Sequence, residues 1–298
     1  MYSIIPKRKI WFTISGILVT LSLIFLVIFG LNFGIDFVGG SSLEVRFGKD
    51  SPSAESVTDH LAELELDSLV VQPASDREMI IQFKEIDEET HQKVMSRLQE
   101  LDEEQYGAVE ELQYNAVGPS IGDTLRKQST YAVILVILAI IAYIAWAFRK
   151  VSKPISSWKY GITAVITLVH DCLIVLGVFA FLGHFYNLEL TGAFIAAILT
   201  VLGYSVNDTI VVFDRVRENL PESEEDFAGT INTSVNQNIT RSINTSVTTS
   251  LVLLSLLIFG GSSIFGFSLA LLLGVLIGTY SSIFLASPLL VFWEKRAQ

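Results

Sequence analysis

The sequence predicts a polytopic α-helical membrane protein with six spans and one small α+β domain carried outside the membrane. Three observations predict it. Mean hydropathy is +0.52 and 51% of the 298 residues are hydrophobic, more than a soluble domain carries. Six apolar stretches approach or exceed the roughly 20 residues that cross a hydrocarbon layer about 30 Å thick. Finally, 21 of the 31 acidic residues but only 8 of the 20 Lys and Arg fall between 32 and 128, so one segment holds the chain's acidity.

Residues 1–9 form a basic arm with Lys7, Arg8 and Lys9, and the first span is 10–31. That span runs well past a signal-peptide core and has no small-residue cleavage site, so it is read as a retained helix. Residues 32–128 form the extramembrane domain, and 129–298 hold the other five spans, at 129–148, 161–181, 190–213, 239–259 and 265–288. The fifth is the weakest, because only 247–259 is strongly apolar. Loop charge sets the orientation. Lys7–Lys9, then Arg149, Lys150, Lys153 and Lys159, then Arg215, Arg217 and Arg241, and last Lys295 and Arg296 all fall on one side. That side, with both termini, is expected in the cytoplasm.

Within 32–128, Leu43, Val45 and Phe47 alternate with Glu44 and Arg46 as a half-buried strand does. Pro52 and Ser53 open a helix with Val57, Leu61 and Leu64 on its apolar face, and a short strand follows at 69–71. The order then repeats. Met79, Ile81 and Phe83 mark a strand, Val94, Leu98 and Leu101 a helix face, and Leu112, Tyr114 and Ala116 a last strand. The expected domain is a ferredoxin-like β-α-β-β-α-β fold. A domain this small holds one modest core and no deep catalytic cleft.

Several classes of function are excluded or left without support. The single cysteine, Cys172, lies in the third span and allows no intramolecular disulfide. Asn-x-Ser/Thr matches at Asn207, Asn232, Asn238 and Asn244 all fall in a span or on the cytoplasmic side and are read as chance. No basic surface suits nucleic acid. His60 and His91 are read as isolated, solvated helix-surface residues, the run 102–104 as a solvated helix end, and no cofactor, metal site or catalytic residue is expected.

The chemistry is expected inside the membrane. Asp208 lies within the fourth span, where a carboxylate costs on the order of 3 kcal/mol. At 100° per residue it shares a stripe with Thr200, Gly203, Tyr204 and Asn207, opposite Ile198, Val201, Leu202 and Ile210. The polar stripe is expected to face protein and the apolar one lipid. In the fifth span Arg241, Thr245, Thr248, Thr249 and Ser255 share a side, and Arg241 comes within reach of Asp208 if the two helices pack together. The third span adds His170 and Asp171; neighbours are 100° apart, so at most one is expected to point straight into the bundle, and Asp171 is chosen. Burial favours the neutral acid and a nearby Arg favours the ion, so a carboxylate poised between them can take up and release a proton. Asp208, Arg241 and Asp171 are therefore candidates for a proton relay, and Thr200, Tyr204, Asn207, Thr245 and Thr248 for a polar path. The alternative is a fixed ion pair that orients two helices. Gly30/Gly34 and Gly274/Gly278 have the spacing of close helix contacts. Asp36, Gly39 and Gly40 follow the first span, either as a hinge coupling helix to domain or as a tight turn with Asp36 bonding local backbone.

Five segments together resemble the SecF family of the bacterial Sec protein-export machinery: LNFGIDFVGGS at 31–41, VGPSIG at 117–122, LVHD at 168–171, GYSVNDTIVVFDRVREN at 203–219 and RSINTS at 241–246. The resemblance implies half of a resistance-nodulation-division architecture, completed by SecD, in the bacterial cytoplasmic membrane. It also implies that the complex assists the SecYEG channel in exporting unfolded polypeptide, driven by the proton-motive force, with Asp208 and Arg241 on the proton path. No covalent enzyme activity is expected. The alternative is half of a proton-driven small-molecule exporter of the same superfamily, but a complete one needs about twice this length. A receptor with an outer sensor domain would not need Asp208, Asp171 and Arg241 in its spans.

Overall fold

The computed structural model describes residues 1–84, 87–101, 103–149 and 155–295. Of the charges weighed above, Asp102, Lys150, Lys153 and Arg296 lie outside the described residues. Helix α1 (Arg8–Phe29) leads through the short α2 (Ile35–Val38) into β1 (Gly40–Phe47), α3 (Ala54–Leu61), β2 (Val70–Pro73), β3 (Glu78–Phe83), α4 (Glu88–Gln99), α5 (Glu103–Tyr106) and β4 (Val109–Val117). Then come α6 (Pro119–Ala147), α7 (Ser157–Tyr186), α8 (Gly192–Asn219), α9 (Phe227–Phe259) and α10 (Ser262–Ser281). A π-helical turn (Ser282–Ala286) joins α10 to α11 (Ser287–Lys295).

The chain divides into a helical unit (Met1–Asn32, Thr130–Leu188, Ala193–Gln298) and an α/β unit (Phe33–Ser129 with Glu189–Gly192). Among the described residues six helices are long and apolar enough to cross a membrane: α1, α6, α7, α8, α9, and the α10–α11 run to Glu294. Several are longer than hydropathy alone suggests. The fifth begins at Phe227, twelve residues before the apolar window, because Asp226 caps it through the Gly229 N–H at 2.8 Å. Its polar first turns are also occupied. Asn232 Oδ1 accepts from the Ile4 and Ile5 amides at 3.0 and 3.1 Å, so the N-terminal arm covers them.

The last span does not stop at Pro288. Proline lacks an N–H and crowds the preceding turn of a helix. The π turn at 282–286 absorbs the mismatch, and Ser287 Oγ donates to Ser282 O at 3.3 Å. Glycines set the close contacts. Gly274 and Gly278 of α10 lie against Val201 and Ser205 of α8, and Gly177 of α7 against Ser22 of α1. At one end of the helical unit Phe148, Tyr160 and Phe213 form an aromatic cluster, Phe148 and Tyr160 stacking at 5.4 Å.

In the α/β unit the sheet order is β2-β3-β1-β4, every pair antiparallel. Leu43, Val45, Phe47, Met79, Ile81 and Phe83 project from the two central strands onto Val57, Leu61, Val94 and Leu98, and all ten are buried. Ser53 caps α3 and Asp87 caps α4. Strand β4 departs from simple alternation. A register shift opposite Glu44/Val45 leaves Leu112 without a partner on β1 and 36% exposed, while Val109 and Tyr114 pack on the core. The histidines differ from expectation as well. His91 is buried, stacked on Tyr114 at 3.9 Å with Nε2 3.1 Å from Glu111 Oε2, and His60 Nε2 lies 2.7 Å from Arg97 O. A ring on a helix flank is covered when the adjacent strand presents an aromatic face, which helix periodicity does not reveal.

Candidate functional site

Asp208 sits in the seventeenth position of the 28-residue α8. Its Oδ1 accepts a hydrogen bond of 2.6 Å from Ser242 Oγ on α9, and its Oδ2 is buried with no hydrogen-bond partner among the described residues. Arg241, the residue before Ser242, is exposed and acts on Asp208 through space. The expected contact is thus mediated by the neighbour. Ser242 faces inward, so Arg241, 100° around the helix, points outward.

Asp171 is completely buried on α7. Its Oδ2 accepts from Ser205 Oγ of α8 at 2.6 Å and from Ser281 Oγ of α10 at 2.8 Å, and its Oδ1 lies 2.9 Å from His170 Nδ1. Both His170 and Asp171 are inside, contrary to the one-of-two expectation. α7 is packed on more than one side, by α1 through Gly177 and by α8 and α10 at Asp171, so residues 100° apart both meet protein. A third polar group joins Tyr204 OH to Ser246 Oγ at 3.2 Å, with Ser246 in turn bonded to Thr279 Oγ1.

Within this chain it is the apolar face of α8 that is covered. Ile198, Val201 and Leu202 are buried within the chain, whereas Thr200, Gly203 and Asn207 are exposed. The apolar face is taken up by α10, which approaches closely through Gly274. On α9 the same holds. Asn238, Ser242 and Ser246 are buried, and Arg241, Thr245 and Thr248 are exposed. The Thr200, Thr245 and Thr248 hydroxyls bond carbonyls of their own helices, at 2.8, 3.0 and 3.0 Å. The inward hydroxyls, Ser205, Ser242, Ser246, Ser281 and Ser282, were missed. Their signal was present: Ser205 and Thr209 form a second polar row on α8, and Ser281–Ser282 interrupts an apolar span.

Asp36 lies in the first turn of α2, and its Oδ2 accepts from the Gly192 amide at 2.6 Å, 156 residues away. It therefore holds the first residue of α8 and does not bond local backbone. The segment 189–192 is tied to the α/β unit further by Gly34 N–H to Leu190 O at 2.9 Å and by Gln82 Nε2 to Glu189 Oε2 at 2.9 Å. Gly39 and Gly40 adopt φ of 79° and 134°, which favour glycine, and a Cβ on Gly39 would stand 3.0 Å from Pro119 Cα.

Glu189 lies in the turn between two spans. Burial, reinforced by the charge of Asp36, raises its pKa above the ordinary glutamate value, opposed by the Gln82 hydrogen bond. The native state then binds a proton more readily than the unfolded chain, so stability at this turn falls as pH rises through the raised value. We expect hydrogen-exchange protection of the Gly34 amide, corrected for intrinsic rate, to rise as pH is lowered from neutrality. Glu189→Gln should remove that rise; a rise that persists in the variant rules Glu189 out as its source.

Among the described residues no group of three or more His, Cys, Asp and Glu is placed to hold a metal. What the site offers is carboxylates deep in apolar helices, held by hydroxyls that both donate and accept. Comparison with known proteins shows which family the chain resembles. Residues 97–296 match the family model "Protein export membrane protein SecD/SecF, C-terminal", and 24–51 match the SecD/SecF GG motif. The chain is 44% identical to the protein translocase subunit SecF of Desulfurispirillum indicum over 95% of this chain and 88% of that one. It is 41% identical to that of Thermobaculum terrenum over 99% and 95%. The crystal structure of SecDF from Thermus thermophilus, described as a translocon-associated membrane protein, superposes with a TM-score of 0.85 at 32% identity. That match covers 99% of this chain but only 39% of the solved one.

Proposed function

Because the chain belongs to the SecD/SecF family of protein-export membrane proteins, we propose that it uses the proton-motive force, together with SecD, to assist SecYEG-dependent export of unfolded polypeptide. Its part as a multi-pass protein translocase subunit is the family's. The proton drive is argued from one observation: Asp208, deep in a span, borders a polar face that this chain leaves uncovered. Thr200, Gly203, Asn207, Arg241, Thr245 and Thr248 are exposed on helices otherwise fit for lipid. A guanidinium and amide facing hydrocarbon cost several kcal/mol, so a second polytopic protein is required to cover them. SecD meets that need, since the solved relative named SecDF is a single chain about two and a half times the matched length.

In this reading Asp208 takes up and releases protons as the partner moves past Arg241, whose charge favours the ionised carboxylate when close. The α/β unit, with its β-α-β-β-α-β order and β2-β3-β1-β4 sheet, is a ferredoxin-like domain on the extracytoplasmic side, offered to the emerging chain. The termini lie in the cytoplasm, on the side the basic loops mark. Asp36, Gly39 and Gly40 form the hinge: Asp36 grips the start of the helix that carries Asp208, and two glycines at positive φ join α2 to β1. The chain works as a coupling subunit and not as a covalent enzyme.

Co-purification from native membranes in mild detergent tests this. SecD and SecYEG are expected with the chain. A homo-oligomer free of SecD favours the rival reading, half of a proton-driven small-molecule exporter, and recovery of the chain alone overturns both.

A further inference from the structure

We propose that Asp171 is a second proton-holding station behind Asp208, and that the serines around the π turn of the last span connect the two. This deepens the proton-driven reading of Asp208 and rests on it. Asp171 is reached by Ser205 and Ser281, at 2.6 and 2.8 Å. Ser282, next in sequence and the first residue of the π turn, lies 2.8 Å from Gly278 O of its own helix, 2.9 Å from Thr209 Oγ1 and 3.3 Å from Ser205 O. Thr209, which Ser282 bonds, is the residue next to Asp208, so Ser282 stands beside that carboxylate without a hydrogen bond to it. Consecutive serines of one helix thus serve the two carboxylates, Ser281 toward Asp171 and Ser282 toward Asp208.

The ends of this array are open. His170 Nε2 and Asp208 Oδ2 are buried with no partner among the described residues, while the atoms between them are hydrogen-bonded. Open valences at the two outer ends are where a proton enters and leaves, and the array between them is interrupted at Ser282. The titratable and charged groups facing the stations come from several helices. His170 and Cys172 neighbour Asp171 on α7, and the Tyr280 ring of α10 lies 6.3 Å from that of His170. Tyr280 in turn meets Ser15 of α1 at 3.1 Å. Asp208 feels Arg241 of α9.

The transfer balances. Once Ser282 Oγ has turned from Gly278 O, Asp208 gives its carboxyl proton to that oxygen as Ser282 passes its own proton to the Ser281 or Ser205 hydroxyl, and that serine delivers its proton to ionised Asp171 Oδ2. One carboxyl is lost, one is gained, and each serine ends as a hydroxyl. In this structure Ser282 Oγ is turned to Gly278 O, Thr209 and the Ser205 carbonyl, so the link toward the Ser205 and Ser281 hydroxyls is not made. The π turn supplies the movable part, since such turns are local irregularities of the helix ladder found at functional sites. When Arg241 draws near and favours ionised Asp208, the proton can retreat to Asp171, away from the exposed face.

Infrared difference titration of the full chain in lipid vesicles tests this, with the protonated-carboxyl band of Asp171 identified by its loss in Asp171→Asn. We expect Asp208→Asn to move the midpoint of that band by about one pH unit, as coupled sites do. The movement should vanish in Ser282→Ala and return in Ser282→Thr, which restores the hydroxyl. A midpoint indifferent to Asp208→Asn, or a movement that survives Ser282→Ala, overturns the proposal. Export is read separately. An export defect in Asp208→Asn with an unmoved Asp171 band removes this inference and leaves the proton-driven reading; a moved band with undiminished export does the reverse.

Discussion

Export of a secreted reporter is expected to fall, in cells whose copy of this protein carries Asp208→Asn, to the level of cells lacking the protein. Asparagine keeps the size of the side chain and can still accept the 2.6 Å hydrogen bond from Ser242 Oγ, so α8 and α9 stay together. What it removes is the proton. Membrane insertion and SecD binding should therefore be unchanged, and the loss should appear only in the part of export that an uncoupler abolishes. The complementary change is Ser242→Ala, which leaves the carboxylate but takes away its bonded donor. It should weaken export less than Asp208→Asn does. Full export by correctly assembled Asp208→Asn would leave Asp208 a structural group at most, and the proton-driven reading would fall with it.

The second large effect is structural. A Cβ on Gly274 would lie 2.1 and 2.6 Å from the two γ-carbons of Val201, which is fully buried. A β-branched valine in a helix has essentially one rotamer and cannot swing aside. Gly278 has the same relation to Ser205, with a Cβ at 2.9 Å from the serine Cβ. Gly274→Val therefore drives α10 away from α8, at a cost of ~1–3 kcal/mol or more. It also draws Ser281 and Ser282 off Asp171 and Ser205. The thermal midpoint in detergent should drop, and the complex with SecD should be recovered in reduced yield. Gly274→Ala should do less, and combining it with Val201→Ala should restore most of the loss. An unchanged thermal midpoint in Gly274→Val would show that α8 and α10 do not depend on this contact.

Much of the architecture was legible in the residues because the relevant signals are local. An apolar run crosses a bilayer whatever surrounds it, and alternation at Leu43, Val45 and Phe47 or helical spacing at Val57 and Leu61 is read within a few residues. Where local signals conflict, tertiary contacts decide. The polar turns of α9 before Ile239 look like a loop until the N-terminal arm bonds Asn232. Pro288 looks like a stop, yet the helix runs on past it after a π turn at 282–286. Leu112 fits an alternating strand until a bulge shifts it outward. The candidate site was legible in its carboxylates, since Asp208 and Asp171 are conspicuous in apolar helices. It was not legible in its hydroxyls, because a serine in a span is inexpensive and draws no attention by composition.

The sequence by itself determined six helices long and apolar enough to span a membrane, one acidic α/β insertion after the first, and that those helices carry Asp208, Asp171 and Arg241. Hydropathy, periodicity and charge need no knowledge of what touches what. Only the tertiary structure decided which face of α8 turns inward, that Ser242 and not Arg241 holds Asp208, and that Ser205 and Ser281 meet at Asp171. It alone decided, too, that Asp36 grips Gly192. Those contacts join residues 34 to 156 positions apart. They follow from which helices approach closely, and glycines at 274, 278 and 177 set that approach by having no side chain to keep neighbours away.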